Sequence, residues 1–451
     1  MNSDFLLNTE TAKHLYHNYA KKLPVIDYHN HLSVTEVLSD YTYKNITELW
    51  LSSDPYKHRA MRMCGVKEKY ITGSASYYEK FAEWCRIFPR LIGNPLKHWS
   101  QMELKMVFDL DIPICADNTQ MLWDTLNGML KEKAYTSQGI LSRFNIEYCS
   151  PCMLLNDDIS DFNNISFAAP SMRSDDMKNI TVEFIEKLST NTGIHINSLD
   201  TLKIAISKRF DVFDKAGGKF FDYAADDGFQ YKRDDGSNGD RFKRLILCGQ
   251  LSEYDMIYLN SELLRIAYEE CAKRGWTVQL HIGALRYTSS RLRKIAGAAG
   301  GFAGIGNFDA RHIANLLNDA ESGKYGLART ILFTLNPAYN EEISVLCGSY
   351  SRDNVPALVQ QGPAWWWCDH YSGIFGVLDS ISAFGLLYEF IGMTTDSRSV
   401  LSFVRHDYFR RVLCAWLGKQ SEAGVLTEDI DTLGELVRRM SYESVKKIIK
   451  A

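Results

Sequence analysis

No apolar stretch in this chain of 451 residues reaches the length of about 18 needed to cross a bilayer, and nothing near the start reads as a secretory signal. A basic tract is also missing. Lys and Arg number 51 against 55 Asp and Glu, a net charge of −4. A nucleic acid or an anionic membrane surface is therefore excluded as the main partner. Cysteine is thinly spread: 10 residues scattered over a long chain read as buried thiols in a cytosolic protein rather than a disulfide framework. The one close pair, Cys149-Ser-Pro-Cys152, has no second Cys-x-x-Cys to complete a zinc site, and reads as structural. The glycine-rich run 297–306 follows no strand and carries no Walker lysine, so it reads as a mobile loop rather than a phosphate cradle.

What is present is ordinary globular composition, 45% hydrophobic and 24% charged, over a length that supports a large core. Length alone suggests two or three domains, and one barrel with an insertion fits equally. The chain is organised around Pro24-Val-Ile-Asp-Tyr-His29-Asn-His31, where a β-branched run leads into two histidines. Residues two apart on a strand point to one side, so both imidazoles can reach one ion. The plain alternative is a strand with two surface histidines. Residues 1–23 read as a helical lead-in capped at Asn8 or Thr9. Residues 33–135 hold no convincing strand and read as successive aromatic-rich helices. Among them Asp54 caps a helix with Pro55 in its first turn. Beyond about 137, strands expected at Ile146–Cys149, Ile165–Ala169, Lys219–Tyr223, Thr277–His281, Thr330–Leu335, Ala357–Gln361 and Phe390–Thr394 alternate with helices such as Ser261–Arg274 and Asp369–Glu389. The second of these helices shows an apolar face of Ile374, Val377, Leu378, Ile381 and Phe384. With Val25–Tyr28 there are eight strands, which predicts an α/β (β/α)8 TIM-type barrel with a helical domain inserted after strand one. The expected divisions are 1–32, 33–135 and 136–451. A doubly wound sheet is the rival, but it would place a glycine-rich turn where His29-Asn-His31 stands.

A barrel carries its chemistry at the C-terminal strand ends. Those ends supply His29 and His31, Ser171-Met-Arg173, Ala225-Asp226-Asp227, His281 with Arg286, a run from Gly362 through three tryptophans to Asp369, and Thr395-Asp396-Ser-Arg398. Singly each has a bland reading: Asp396 as a helix cap, His281 as a bonded core histidine, the tryptophans as packing, Arg173 as a surface ion pair. Jointly they form a pocket for a cation and an anionic substrate. Two histidines and a carboxylate leave positions open on a divalent ion. Arginine forks recognise carboxylates. Such a site polarises a carbonyl or hydroxyl or activates water, and a nearby tyrosine or carboxylate can move a proton. Hydrolysis and proton-transfer isomerisation are both served by this inventory.

Nine motifs run through the chain in order: Ile26-Asp-Tyr-His-Asn-His-Leu32, Tyr56-Lys-His-Arg-Ala-Met-Arg62, Tyr70-Ile-Thr-Gly73, Asn94-Pro-Leu-Lys-His-Trp99, Gly139-Ile-Leu-Ser-Arg-Phe-Asn145, Gln279-Leu-His-Ile-Gly-Ala-Leu-Arg286, Ala364-Trp-Trp366, Gly392-Met-Thr-Thr-Asp-Ser-Arg398 and Arg405-His-Asp-Tyr-Phe-Arg-Arg411. By these motifs the chain resembles the uronate isomerases of the amidohydrolase superfamily. It implies interconversion of D-glucuronate with D-fructuronate and of D-galacturonate with D-tagaturonate. It implies that His29, His31 and Asp396 hold a divalent metal, usually zinc, with His281 close by as ligand or hydrogen-bond partner. By the same resemblance Tyr56 moves the proton between C2 and C1, reaching over the barrel mouth from the insertion. Arg398 meets the substrate carboxylate or hydroxyls, and Arg173, Asp226 and Trp365 line the pocket. If Tyr56 is the base, Arg59, Arg398 or the metal has to favour its phenolate. The partner is a small hexuronate, and a homo-oligomer is compatible with the resemblance.

Two departures from the family pattern stand out. Cys149-Ser-Pro-Cys-Met-Leu-Leu-Asn-Asp157 replaces a Thr-Thr-Asp-Asp-Pro-like run, and Ala225-Asp-Asp-Gly228 places Asp227 where a histidine is common. Neither is expected to touch the ligands or Tyr56; both bear on substrate preference. Two rival functions remain on the same residues: a mononuclear metal-dependent hydrolase acting on a small carboxylate, in which Asp396 takes a proton from water, and a sugar-acid binder without catalysis. The strand-six end, Thr334-Leu-Asn-Pro337, has no histidine, which favours a single metal.

Overall fold

A computed structural model describes residues 2–450. The outermost residues of the expected divisions, Met1 and Ala451, lie outside the described residues. The polypeptide enters the barrel at β1 (Val25–Asn30), every residue of which is buried. A strand buried along its whole length needs cover on both faces, as in a parallel sheet with flanking helices. That is its setting: β1, β2 (Ile146–Leu154), β3 (Ser171–Arg173), β4 (Phe220–Ala225), β5 (Thr277–Ile282), β6 (Arg329–Thr334) and β7 (Val359–Gln361) lie side by side in chain order. Each neighbouring pair is parallel.

The eighth expected strand runs beside β1 without a regular ladder. Asp396 N–H donates to the His29 carbonyl at 3.0 Å and His31 N–H to the Ser397 carbonyl at 2.7 Å. Between these, side chains replace the backbone, as Thr394 Oγ1 accepts from His29 N–H (2.9 Å) and Asp27 Oδ2 from Thr395 N–H (2.9 Å). The cause is local. Gly392 and Asp396 sit at φ +84° and +47°, outside the extended region. A Cβ at Gly392 would also collide with the Met440 carbonyl. The segment therefore bends at both ends and delivers Asp396 over the end of β1.

Two other strands differ from expectation for similar reasons. At 165–169 only a single bridge, Cys149 to Ala168, forms. Pro170 has no N–H to continue the ladder, and the regular strand resumes at Ser171. Strand seven starts two residues late because Ala357 has φ +45°. The helix over Tyr371–Phe384 keeps Ile374, Val377, Leu378 and Ile381 buried, but Phe384 is 46% exposed, at the helix end where the apolar stripe runs off the core. The helix expected at Ser261–Arg274 begins earlier, at Glu253, where Ser252 caps it.

Between β1 and β2 the described residues form helices only. Their aromatics are core: Trp50, Phe81, Trp84 and Trp99 are all buried. The helix that matters for the site is α1 (Pro55–Met63), which starts where Asp54 accepts from Tyr56 N–H (2.9 Å) and Lys57 N–H (3.1 Å). Lys57 is buried there against Asp54 (2.9 Å) and Glu103 (3.2 Å). The glycine-rich run is tied down rather than loose. Gly304–Ile305 pairs with Ala284–Leu285, and the Ala303 and Gly300 carbonyls accept from Arg59 and Arg62 of α1. Gly301, at φ +75°, lies so close to the Pro55 carbonyl that no Cβ would fit. This contact fixes α1, and so Tyr56, over the mouth of the barrel.

Candidate active site

The strand ends converge as the sequence predicts. The His29 and His31 rings stand 5.2 Å apart at 81°, both at the end of β1. Asp396 Oδ1 lies 3.3 Å from His29 Nε2 and 3.0 Å from His31 Nε2. This oxygen is buried and has no hydrogen-bond partner. Its sister, Oδ2, accepts from Trp365 Nε1 at 2.6 Å. Burial works to raise the Asp396 pKa, but the two imidazoles hold it well below the usual carboxylate range. Ligands about 2.0–2.1 Å from a tetrahedral ion stand about 3.4 Å apart. The two measured separations fit that spacing, and a buried oxygen that no aligned N–H reaches is what a cation would satisfy. The residues present therefore fit a divalent metal. One competitor is visible: Arg173 Nη1 stands 2.9 Å from His31 Nε2. A guanidinium and an ion cannot share that nitrogen, and Arg173, anchored to Asp175 at 2.8 Å, has a flexible stem that lets it step back.

His281 of β5 lies under this group. Its Nδ1 is 2.7 Å from Asp222 Oδ1 of β4, and its ring is 4.6 Å from that of His29 and stacked on Phe333. Burial lowers the His281 pKa, with Asp222 opposing. Its Nε2 is buried with no hydrogen-bond partner. A carboxylate on the far nitrogen orients an imidazole for an ion on the near one. Asp222 thus belongs to the site, and nothing in its sequence setting marked it, because its partner is on the next strand. The ligand atoms of His29, Asp222 and His281 lie within 4.8 Å of one another, as do those of His29, His31 and Cys152.

A cavity of about 510 Å3 opens above these residues. Tyr56, Arg173, Asp226, Arg286, Asp396 and Arg398 line it together with Trp366 and Trp367. Trp365 and His281 do not face it; the first holds Asp396 from behind and the second is buried below. Asp226 is paired with Arg286 at 2.7 Å and Lys178 at 3.3 Å. Arg398 has no carboxylate partner among the described residues, and burial lowers its pKa. Asp227 lies off the cavity and accepts from Asn307 N–H at 2.8 Å, so this departure anchors the glycine-rich loop.

Tyr56 reaches the mouth from α1, as the resemblance requires. Its environment does not favour a phenolate. Burial and the neighbouring Asp369 push its pKa well above 10, and Arg405 only partly opposes them. Its hydroxyl donates to Asp369 Oδ2 at 3.1 Å. The same oxygen accepts from Arg405 Nη1 at 2.5 Å, and Arg405 Nη2 donates to the Thr395 carbonyl at 2.7 Å. Burial raises the Asp369 pKa to about 6 although Arg405 lowers it. Asp369 was visible in sequence only as the end of the tryptophan run; its tie to Tyr56 spans 313 residues. The expectation that the 149–157 departure stays clear of the ligands fails: Cys152 Sγ is 3.5 Å from His29 Nδ1.

No helix among the described residues is long and apolar enough to cross a membrane. The family model for glucuronate isomerase matches residues 1–449. A uronate isomerase of Bacillus licheniformis is 37% identical over 462 residues, covering 99% of this chain and 96% of that protein. One from Actinobacillus succinogenes is 36% identical over 463 residues, covering 100% and 99%. The crystal structure of a uronate isomerase from Thermotoga maritima superposes with a TM-score of 0.92 at 27% identity, covering 100% of this chain and 99% of that one. On the family model that spans the chain and on relatives of this identity and coverage, the chain belongs to the uronate isomerase family, enzymes that isomerise uronates.

Proposed function

We propose that the protein interconverts D-glucuronate with D-fructuronate and D-galacturonate with D-tagaturonate by moving a proton between C2 and C1 through an enediol. The observation that carries this reading is that one cavity collects Tyr56, Asp396 and the unpaired Arg398. His29, His31 and Asp396 would hold a divalent metal, zinc in this proposal, which when bound polarises a carbonyl or hydroxyl of the open-chain sugar. Trp365 fixes the Asp396 carboxylate through Oδ2, leaving Oδ1 for the ion. His281, oriented by Asp222, would serve the ion as a further ligand or as a hydrogen-bond partner of its ligands.

Arg398 takes the substrate carboxylate, because its fork is not already spent on a protein partner. Arg173 and the Asp226–Arg286 pair shape the sides of the pocket. Tyr56 carries the proton. As a neutral phenol it accepts the C2 proton only as its own proton passes to Asp369, which already accepts its hydrogen bond. Arg405 holds Asp369 in place and keeps part of its carboxylate ionised. The proton is then delivered to C1, while O1 gains a proton and O2 gives one up. The division into 1–32, 33–135 and 136–451 serves this chemistry: the inserted helices carry Tyr56 to a barrel that supplies the ion. All 10 cysteines are free, which supports a reducing, cytoplasmic setting.

The test is a coupled assay that offers each uronate separately and reports ketouronate with a specific dehydrogenase, run beside the same reaction in deuterated water. Ketouronate with deuterium at C2 of the recovered aldose supports the proposal. A folded, metal-loaded protein that yields neither overturns it and leaves the hydrolase.

A further inference from the structure

One contact of the histidine cluster plays no part in the mechanism above. Cys152 lies near the C-terminal end of β2, on the rim where the strand ends carry chemistry. Its sulfur is the hydrogen-bond partner of His29 Nδ1, at 3.5 Å. The other ring nitrogen, Nε2, stands 3.3 Å from Asp396 Oδ1. The two nitrogens of an imidazole point away from each other. A cation held together with Asp396 therefore takes Nε2, and leaves Nδ1 and the sulfur behind the ring. His29 is 2% exposed, so bulk water does not stand in for that sulfur. Cys149, three residues earlier, has a different partner: it is buried and accepts from Asn30 Nδ2 at 3.3 Å.

The same arrangement recurs one ring away. His281 Nδ1 is 2.7 Å from Asp222 Oδ1, and its Nε2 makes no aligned hydrogen bond. In each case a side chain of the adjacent parallel strand takes Nδ1: Asp222 of β4 for His281 of β5, and Cys152 of β2 for His29 of β1. A neutral imidazole carries one proton, and an acceptor beside one nitrogen decides which of the two keeps it. We propose that Cys152 is a positioning residue for His29: its sulfur accepts the Nδ1 proton and so holds the ring with the Nε2 lone pair toward the metal. This rests on the metal proposed above. Sulfur is a weak acceptor, whereas the carboxylate beside His281 is a strong one. Cys152 thus orients His29 and leaves it a less basic ligand than a carboxylate partner would.

Zinc affinity, read on the full chain by competition with a chromophoric chelator, tests this without turnover. Cys152→Ala should lower the affinity about 10- to 100-fold. Cys152→Ser, with a shorter acceptor, should recover part of that loss, and Cys152→Asp should bind at least as tightly as the parent. Cys149→Ala should leave the affinity unchanged. The urea midpoint of the metal-free chain should not follow this order, because a thiol that only fills space is replaced better by alanine than by aspartate. Should Cys152→Ala fail to fold, the order of aspartate above serine carries the test. Cobalt(II) bound to the parent should give d–d absorption without a thiolate-to-metal charge-transfer band. That band would overturn the assignment by making the sulfur a ligand, and equal zinc affinity in the alanine and aspartate variants would overturn it while leaving the metal site intact. A chain that binds neither zinc nor cobalt would overturn the metal reading as well.

Discussion

Strand β1 presents two clusters of histidine and aspartate, two residues apart: one sealed in the interior, the other opening on the cavity. Asp27 makes four hydrogen bonds: Oδ1 accepts from Asn30 Nδ2 (2.9 Å) and Thr394 Oγ1 (3.1 Å), and Oδ2 from Thr395 N–H (2.9 Å) and His406 Nε2 (2.8 Å). Burial acts to raise its pKa, yet His406 and these donors hold it low. Above it, Asp396 Oδ1 and His281 Nε2 make no aligned hydrogen bond, and the nitrogens nearest that oxygen are those of His29 and His31. Residue type is the same in both clusters. Saturation is what separates a structural knot, which ties the eighth segment to β1, from a cluster whose donors fit a cation.

The comparison is broken most directly by removing a member of each cluster. His31→Ala should lower kcat/KM about a thousandfold and reduce bound metal, with the denaturation midpoint little changed. Asp27→Ala should do the reverse. Leaving His406, Thr395 N–H and Asn30 without their acceptor is expected to cost about 3–5 kcal/mol, read by urea unfolding, with metal still bound in the folded fraction. A His31 variant that unfolds, or an Asp27 variant that only loses metal, would merge the two clusters.

Smaller effects sharpen the site itself. Tyr56→Phe removes the hydroxyl that meets Asp369 and should cost about a hundredfold in kcat, with metal content and fold unchanged. Asp369 sets a pH dependence. Its pKa is raised to about 6, so below that value it is protonated, no longer accepts the Tyr56 proton, and kcat/KM falls. That acid limb should flatten in Asp369→Asn. The sign for stability is opposite: a carboxyl with a raised folded pKa costs the fold stability in full above about 6, and that cost is lost as the pH falls from about 6 to the unfolded value of 3.8. The smallest effect is at Phe384. It is 46% exposed, and Phe384→Ser should change stability by no more than about 0.5 kcal/mol.

Much of this was legible in the chain. The β-branched run before His29 announced a buried strand, and the spacing to His31 put both rings on one side. Asp54-Pro55 announced the start of α1. What stayed hidden depended on contacts the sequence does not record. Pro170 displaced strand three and Gly392 with Asp396 broke strand eight, because backbone angle overrides β propensity. Asp222, Asp369 and Cys152 were each in view as residues, but their partners are 59, 313 and 123 positions away or on other strands. The neutral state of Tyr56 could not be read from Arg59 and Arg398 in sequence, since Asp369 and burial decide it.

The most direct measurement titrates zinc into chelator-treated protein and follows bound metal and ketouronate formation from D-glucuronate together. The expected result is activity that rises in step with metal until a single ion is bound per chain, and no such rise in His29→Ala. Full activity in the metal-free protein, or none once the ion is bound, would contradict the reading of the unsaturated cluster as the isomerase's metal site.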